Sequence, residues 1–287
     1  MNFLIITKKQ ILILVLVLTF IFCFVIYCTC SARDVPCSSN YIFSIATEND
    51  FTIITDLQNK LDDIYSSDEK VAFLTFDDGP TKIATPKILD ILKENDVHAS
   101  FFVIGYRVNE FPNIVKRAYE EGNFIANHGY SPKNSKLYQS KESFINEVLT
   151  TDEAISNAIG ASNYHSHIFR FPNGSTGTKY SGAKKNCKSY LKEIGYCYVD
   201  WNALNNDSIK KYSPQQLLNN LKKTCKNKNS LIILMHDTID VSRSYESLDA
   251  SIKYLKEQGY VFKTFEEFFL KWATNSRPKS YFCTYFK

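Results

Sequence analysis

The sequence predicts an α/β domain with a parallel, barrel-like sheet, set behind an N-terminal apolar segment. From Val71 onward, short apolar runs alternate with stretches that are apolar at helical spacing, the texture of strands joined by crossover helices. About seven such units fit in about 200 residues without an internal repeat, enough for one domain. Acids and imidazoles cluster where the apolar runs stop, as they do where sites collect at the carboxyl ends of parallel strands.

In chain order, the first strand is expected at 71–76 (Val-Ala-Phe-Leu-Thr-Phe). Thr85 and Pro86 then open a helix as N-cap and first residue, with Ile88, Leu89, Ile91 and Leu92 inward. A second strand covers 99–104, Pro112 starts a helix that Gly122 ends, and 124–126 is a short third strand. Phe144, Val148, Ile155 and Ile159 lie on one face of an amphipathic helix at 141–159. A fourth strand at 168–171, a helix at 184–194 and a strand at 196–199 follow. Ser213-Pro214-Gln215-Gln216 is a capping box for the next helix. A strand at 231–235, a helix through Leu248, Ile252 and Leu255, a last strand at 259–262 and a short helix at 265–272 complete the domain.

The 287 residues, 44% hydrophobic and 22% charged, exclude a disordered chain and a peptide-sized disulfide scaffold. Residues 11–30 carry no charge, and at about 1.5 Å per residue a helix of that length reaches roughly the 30 Å of a hydrocarbon core. Lys8 and Lys9 precede it, so the positive-inside bias puts residues 1–10 in the cytoplasm and the rest outside. The expected organisation is a cytoplasmic tail (1–10), a single-pass anchor (11–30), a stalk with a short lead-in helix (31–69), the domain (70–272) and a C-terminal tail (273–287). A cleaved signal peptide is the alternative, weakened by the length of the apolar run and a poor small-residue cleavage site. Of eight cysteines, Cys37, Cys187, Cys197, Cys225 and Cys283 lie beyond the anchor in no zinc-like or framework spacing. The net charge of +4 includes Lys8 and Lys9 and calls for no nucleic acid; oligomeric state is not legible.

The expected strand ends carry Asp77 and Asp78, then Asn127-His128, Arg170, Asp200-Trp201-Asn202 and His236-Asp237. Adjacent carboxylates at a strand end diverge, so one can face a metal while the other faces a reacting water. An Asp-Asp-Gly turn alone is ordinary; its companions at matching ends make it a candidate site.

Four segments in order resemble the polysaccharide deacetylases, the NodB-homology family of metal-dependent carbohydrate esterases: Thr75-Phe76-Asp77-Asp78-Gly79-Pro80, Arg170-Phe171-Pro172-Asn173-Gly174, Asp200-Trp201-Asn202 and Leu234-Met235-His236-Asp237. The resemblance implies a distorted (β/α)7-type barrel and hydrolysis of acetyl groups on glycans. It assigns Asp77 as general base, oriented by Arg170, His236 as general acid tuned by Asp200, and Asp78 with His128 as ligands of a divalent ion, zinc in most of the family. Leu234 and Trp201 would line the acetyl pocket, the Asn173 N–H would stabilise the oxyanion, and Tyr130 would meet the sugar. With the anchor, it implies cell-wall glycan, peptidoglycan above all, as the partner.

One segment departs from the family. Where two histidines four residues apart are usual, the chain reads His128-Gly129-Tyr130-Ser131-Pro132, and proline cannot bind a metal. Of the other histidines, His98, His165 and His167 precede strands and belong to the opposite rim, while His236 already has a role. Two expectations follow: a working deacetylase with a two-ligand or metal-independent site, or a degenerate relative that keeps the cleft and binds glycan without turnover.

Overall fold

The strand β1 (Val71–Asp77) is buried along its whole length, as an apolar run with no polar face must be. In the computed structural model, which describes residues 48–162, 164–209, 212–238 and 244–269, β1 is the centre of an all-parallel sheet. It pairs with β2 (Ser100–Val103) on one side and β7 (Ser230–His236) on the other. Outward from β2 lie β3 (Phe124–Asn127), β4 (Ile168–Phe169) and β5 (Cys197–Tyr198), and outward from β7 lies β6 (Ala203–Leu204). A short β8 (Val261–Phe262) pairs with the start of β1.

The sheet must curl, because β5 and β6 are its two ends and only residues 199–202 join them. Such a link spans at most about 18 Å, whereas a flat sheet would separate the outer strands by about 29 Å. The result is a curled half-barrel. Near its two ends, side chains act as strand neighbours. Gln58 takes the Tyr198 N–H (2.9 Å) and donates to the Tyr198 carbonyl (3.1 Å), and Asn202 takes the Ile232 N–H (2.9 Å).

Alternate strand residues face two layers. Ala72, Leu74, Phe76, Phe101, Val103, Ile233 and Met235 pack outward against helices that include α2 (Ala84–Glu94), α8 (Pro214–Cys225) and α9 (Ser244–Glu257). Phe73, Phe102, Phe124, Ala126, Ile168 and Ile232 face inward. That inner core is completed by Ile53, Ile54, Leu57 and Leu61 of the lead-in helix α1 (Glu48–Asp63), with Phe265 and Phe269. The helix expected in the stalk is thus packed into the domain.

Between α2 and α8 the helices are α3 (Gly105–Glu110), α4 (Pro112–Glu120), α5 (Asn134–Leu137), α6 (Lys141–Ile159) and α7 (Ser181–Glu193). The helix expected at 141–159 is α6, capped by Ser140 and ended by Gly160 at φ 74°. The Ser213–Gln216 capping box forms as expected. Thr85 is not an N-cap: it lies inside α2, and its hydroxyl accepts from the Thr81 N–H and donates to the buried Asp237. The two-residue β6 has no counterpart among the strands the sequence pattern predicts. The anchor at 11–30 and the tail at 273–287 lie outside the described residues, among which no helix is long and apolar enough to cross a membrane. Cys187, Cys197 and Cys225 are free and buried.

Candidate active site

Thr75 and Asp77 are two residues apart on β1, and Asp77 is in register with His236 on β7. Period-two alternation sends all three side chains to the inner face, at the mouth formed by the strands' carboxyl ends. Arg170, immediately after β4, is completely buried there. Its Nη1 donates to Asp77 Oδ1 (2.8 Å) and Thr75 Oγ1 (2.6 Å), Nε to the Val199 carbonyl (3.2 Å) and Nη2 to the Asp200 carbonyl (3.2 Å). The guanidinium lies 4.0 Å from the centre of the Phe102 ring. Arg170 thus stands beside Asp77 as expected, with one carboxylate oxygen fixed and the other turned toward His128 (Nε2 at 4.0 Å).

The backbone leaves the strand at Asp78, whose φ of 74° redirects its side chain. Asp78 Oδ1 lies 3.3 Å from His128 Nε2. Burial opposes charge on both groups, but their mutual attraction prevails: Asp78 is held below the ordinary carboxylate range, and His128 is raised by Asp77 and Asp78 together. Gly79 is required by contact, since a Cβ there would fall 1.9 Å from Asp237 Oδ2. Burial raises the pKa of Asp237 to about 7.

His236 has a partner other than the expected one. Its Nδ1 is 2.7 Å from Asp207 Oδ1, and its backbone N–H donates to Asp207 Oδ2 at 2.6 Å. Burial works against the imidazolium, but the Asp207 hydrogen bond and charge, with Asp77 and Asp78, raise its pKa to about 9. Asp200 instead accepts from the Ser175 N–H (2.8 Å) and hydroxyl (2.7 Å). The role read for Asp200 is therefore corrected to Asp207. The cause is β6: two residues are too few to show periodicity, and Asp207 lies just beyond them, where a strand-end rule would have found it.

The remaining predicted residues divide. Leu234, two residues before His236, shares its inner face, and Trp201 lies against Gly174 with Arg170 5.9 Å from its ring centre. Asn173 adopts φ 61°, and its N–H donates to no acceptor among the described residues, as an oxyanion donor requires. Tyr130 packs against Gly105 and accepts from Asn109 through its hydroxyl (3.2 Å). His98 lies against Gly122, His165 pairs with Asp152 (2.9 Å) and His167 with the Gly195 carbonyl (2.9 Å), each beside the start of a strand.

The 3.3 Å between Asp78 Oδ1 and His128 Nε2 fits two corners of a tetrahedral zinc shell, whose ligand–ligand edge is about 3.3 Å for bonds of about 2.0 Å. No group of three histidine, cysteine or acidic donors placed to hold an ion forms among the described residues. Pro132 is exposed, and its loop is tied down by the buried Glu147, which accepts from the Tyr130 and Ser131 N–H groups (3.0 and 2.6 Å). Among the described residues, the buried His128 Nδ1 has no hydrogen-bond partner of the kind that commonly orients a metal-bound imidazole. The donors fit a weak, two-ligand centre.

A sequence model of the polysaccharide deacetylase family matches residues 65–199. A peptidoglycan-N-acetylglucosamine deacetylase of Bacillus cereus is 34% identical over 209 residues, covering 70% of this chain and 71% of that one. The catalytic domain of peptidoglycan N-acetylglucosamine deacetylase from Eubacterium rectale superposes with a TM-score of 0.62 at 28% identity, covering 68% of this chain and 88% of that one. A mutant of a CE4 family pseudoenzyme with restored enzymatic activity superposes with a TM-score of 0.56 at 30% identity, covering 69% and 67%.

Proposed function

Because the chain belongs to the polysaccharide deacetylase family, we propose that it removes N-acetyl groups from cell-wall glycan, with Asp77 as general base and His236 as general acid. The observation that carries this reading is their convergence in register on β1 and β7, each held by its own buried partner, Arg170 and Asp207.

The chemistry follows from the geometry. Arg170 fixes one oxygen of Asp77 and leaves the other to take a proton from the attacking water. The acetyl carbon becomes tetrahedral, and the Asn173 N–H receives the oxyanion. With Nδ1 engaged by Asp207, His236 delivers its Nε2 proton to the departing amine as the C–N bond breaks, releasing acetate. A pKa of about 9 keeps that proton available at neutral pH. Leu234 and Trp201 close the apolar side where the methyl group sits. A divalent ion, zinc by family habit, would be held by Asp78 and His128 and would polarise the acetyl oxygen and acidify water. Residues 11–30 would tether the domain outside the cell beside an insoluble wall, peptidoglycan in particular.

A second reading is favoured by Pro132, together with a His128 Nδ1 that has no partner among the described residues: a degenerate member that binds glycan without turnover. That a CE4 family pseudoenzyme lies among its structural relatives supports keeping it. Metal content and acetate release from N-acetylglucosamine oligomers and peptidoglycan, with zinc or cobalt added, separate the two. The deacetylase reading expects acetate from the unaltered chain and tighter metal with faster release in Pro132→His. Acetate from Pro132→His alone would establish the degenerate reading.

A further inference from the structure

Asp200 and Lys184 meet on the turn that follows Arg170. Lys184, on α7, is 1% exposed. Its ammonium donates to the carbonyls of Pro172 (3.0 Å) and Gly174 (2.6 Å) and stands 5.8 Å from the centre of the Tyr138 ring. Asp200 accepts both the N–H and the hydroxyl of Ser175. The Gly174 N–H is used by the Phe171 carbonyl (2.8 Å), and Pro172 has none. Among the described residues, the one N–H of this turn without an acceptor is that of Asn173, on a residue held at φ 61°.

Burying an ammonium is costly even with carbonyl acceptors, and an apolar side chain would serve stability as well or better. A turn with successive left-handed residues, here Asn173 and Gly174 at φ 61° and 75°, also needs outside support. We propose that Asp200 and Lys184 are positioning residues: gripping the 172–175 turn by its carbonyls and by Ser175, they aim the Asn173 N–H at the oxygen of the acetyl group. The assignment of that oxygen rests on the deacetylase reading; the grip does not.

The test uses Lys184→Met and Asp200→Asn in the full chain, each also combined with Pro132→His. Hydrogen–deuterium exchange is followed in peptides covering 171–177, and kcat and KM on N-acetylglucosamine oligomers in each background that releases acetate. Faster exchange in 171–177 with α6 unchanged is expected, along with kcat lowered about 10- to 100-fold at constant KM, the size of effect for a misplaced catalytic group. Unchanged exchange, or a raised KM at constant kcat, overturns the proposal. Faster exchange with no acetate in any background leaves the grip standing and sinks the deacetylase reading. Should either variant not fold, Ser175→Ala, which removes only the hydroxyl bond to Asp200, must still lower kcat without changing KM, or in an inactive chain hasten exchange.

Discussion

Replacing Asp207 by asparagine isolates the charge that keeps His236 protonated. The carboxylate is 2% exposed and accepts from the imidazole, from the His236 N–H and from the Ser244 hydroxyl. Asparagine preserves the shape but offers an N–H where the imidazolium needs an acceptor, so the neutral ring is favoured. If the pKa falls from about 9 to the ordinary 6.5, the protonated fraction at pH 8 drops from about 0.9 to about 0.03, roughly 30-fold. The alkaline limb of the pH–rate profile should move down accordingly, and an NMR titration of His236 should follow it whether or not the chain turns over. Because the folded pKa lies above the unfolded one, protonation of His236 stabilises the fold fully below pH 6.5, and that gain is lost as pH rises through about 9. The stability deficit of Asp207→Asn, about 3 kcal/mol at most from this source, should therefore be largest at acid to neutral pH and narrow above pH 9. A His236 pKa unchanged in the variant would refute the reasoning.

Two further substitutions probe the frame. Arg170→Met leaves Asp77 buried without its counter-charge and should cost about 3–5 kcal/mol in denaturant unfolding at pH 7, with loss of any acetate release. Leu57→Ala removes an α1 side chain that is 1% exposed; a loss of about 2–5 kcal/mol in the same measurement is expected if α1 belongs to the folding unit, and almost none if it is a stalk.

The local order of the chain was legible because periodicity and caps are local. The apolar run of β1, the 141–159 helix and the Ser213 capping box needed no knowledge of distant contacts. So too were Asp77, Asp78, His128, Arg170 and His236, each at or just beyond the end of a strand that sequence pattern could detect. The histidine partner was not legible: β6 is formed by pairing with β7, which no window on its two residues can contain, so Asp200 was read in place of Asp207. Thr85 looked like a cap because nothing nearby in sequence announces Asp237, more than 150 residues away.

What the sequence by itself determined was the strand–helix alternation, the identity of the chemical groups and the proline at position 132, since these depend on residue type and short spacing. What only the tertiary structure decided was which carboxylate serves which cation, and that α1 fills the inner core. Those depend on long-range pairing and packing: β6 pairs with β7 and so brings Asp207 to His236, while Asp200 is left to the turn that carries Asn173.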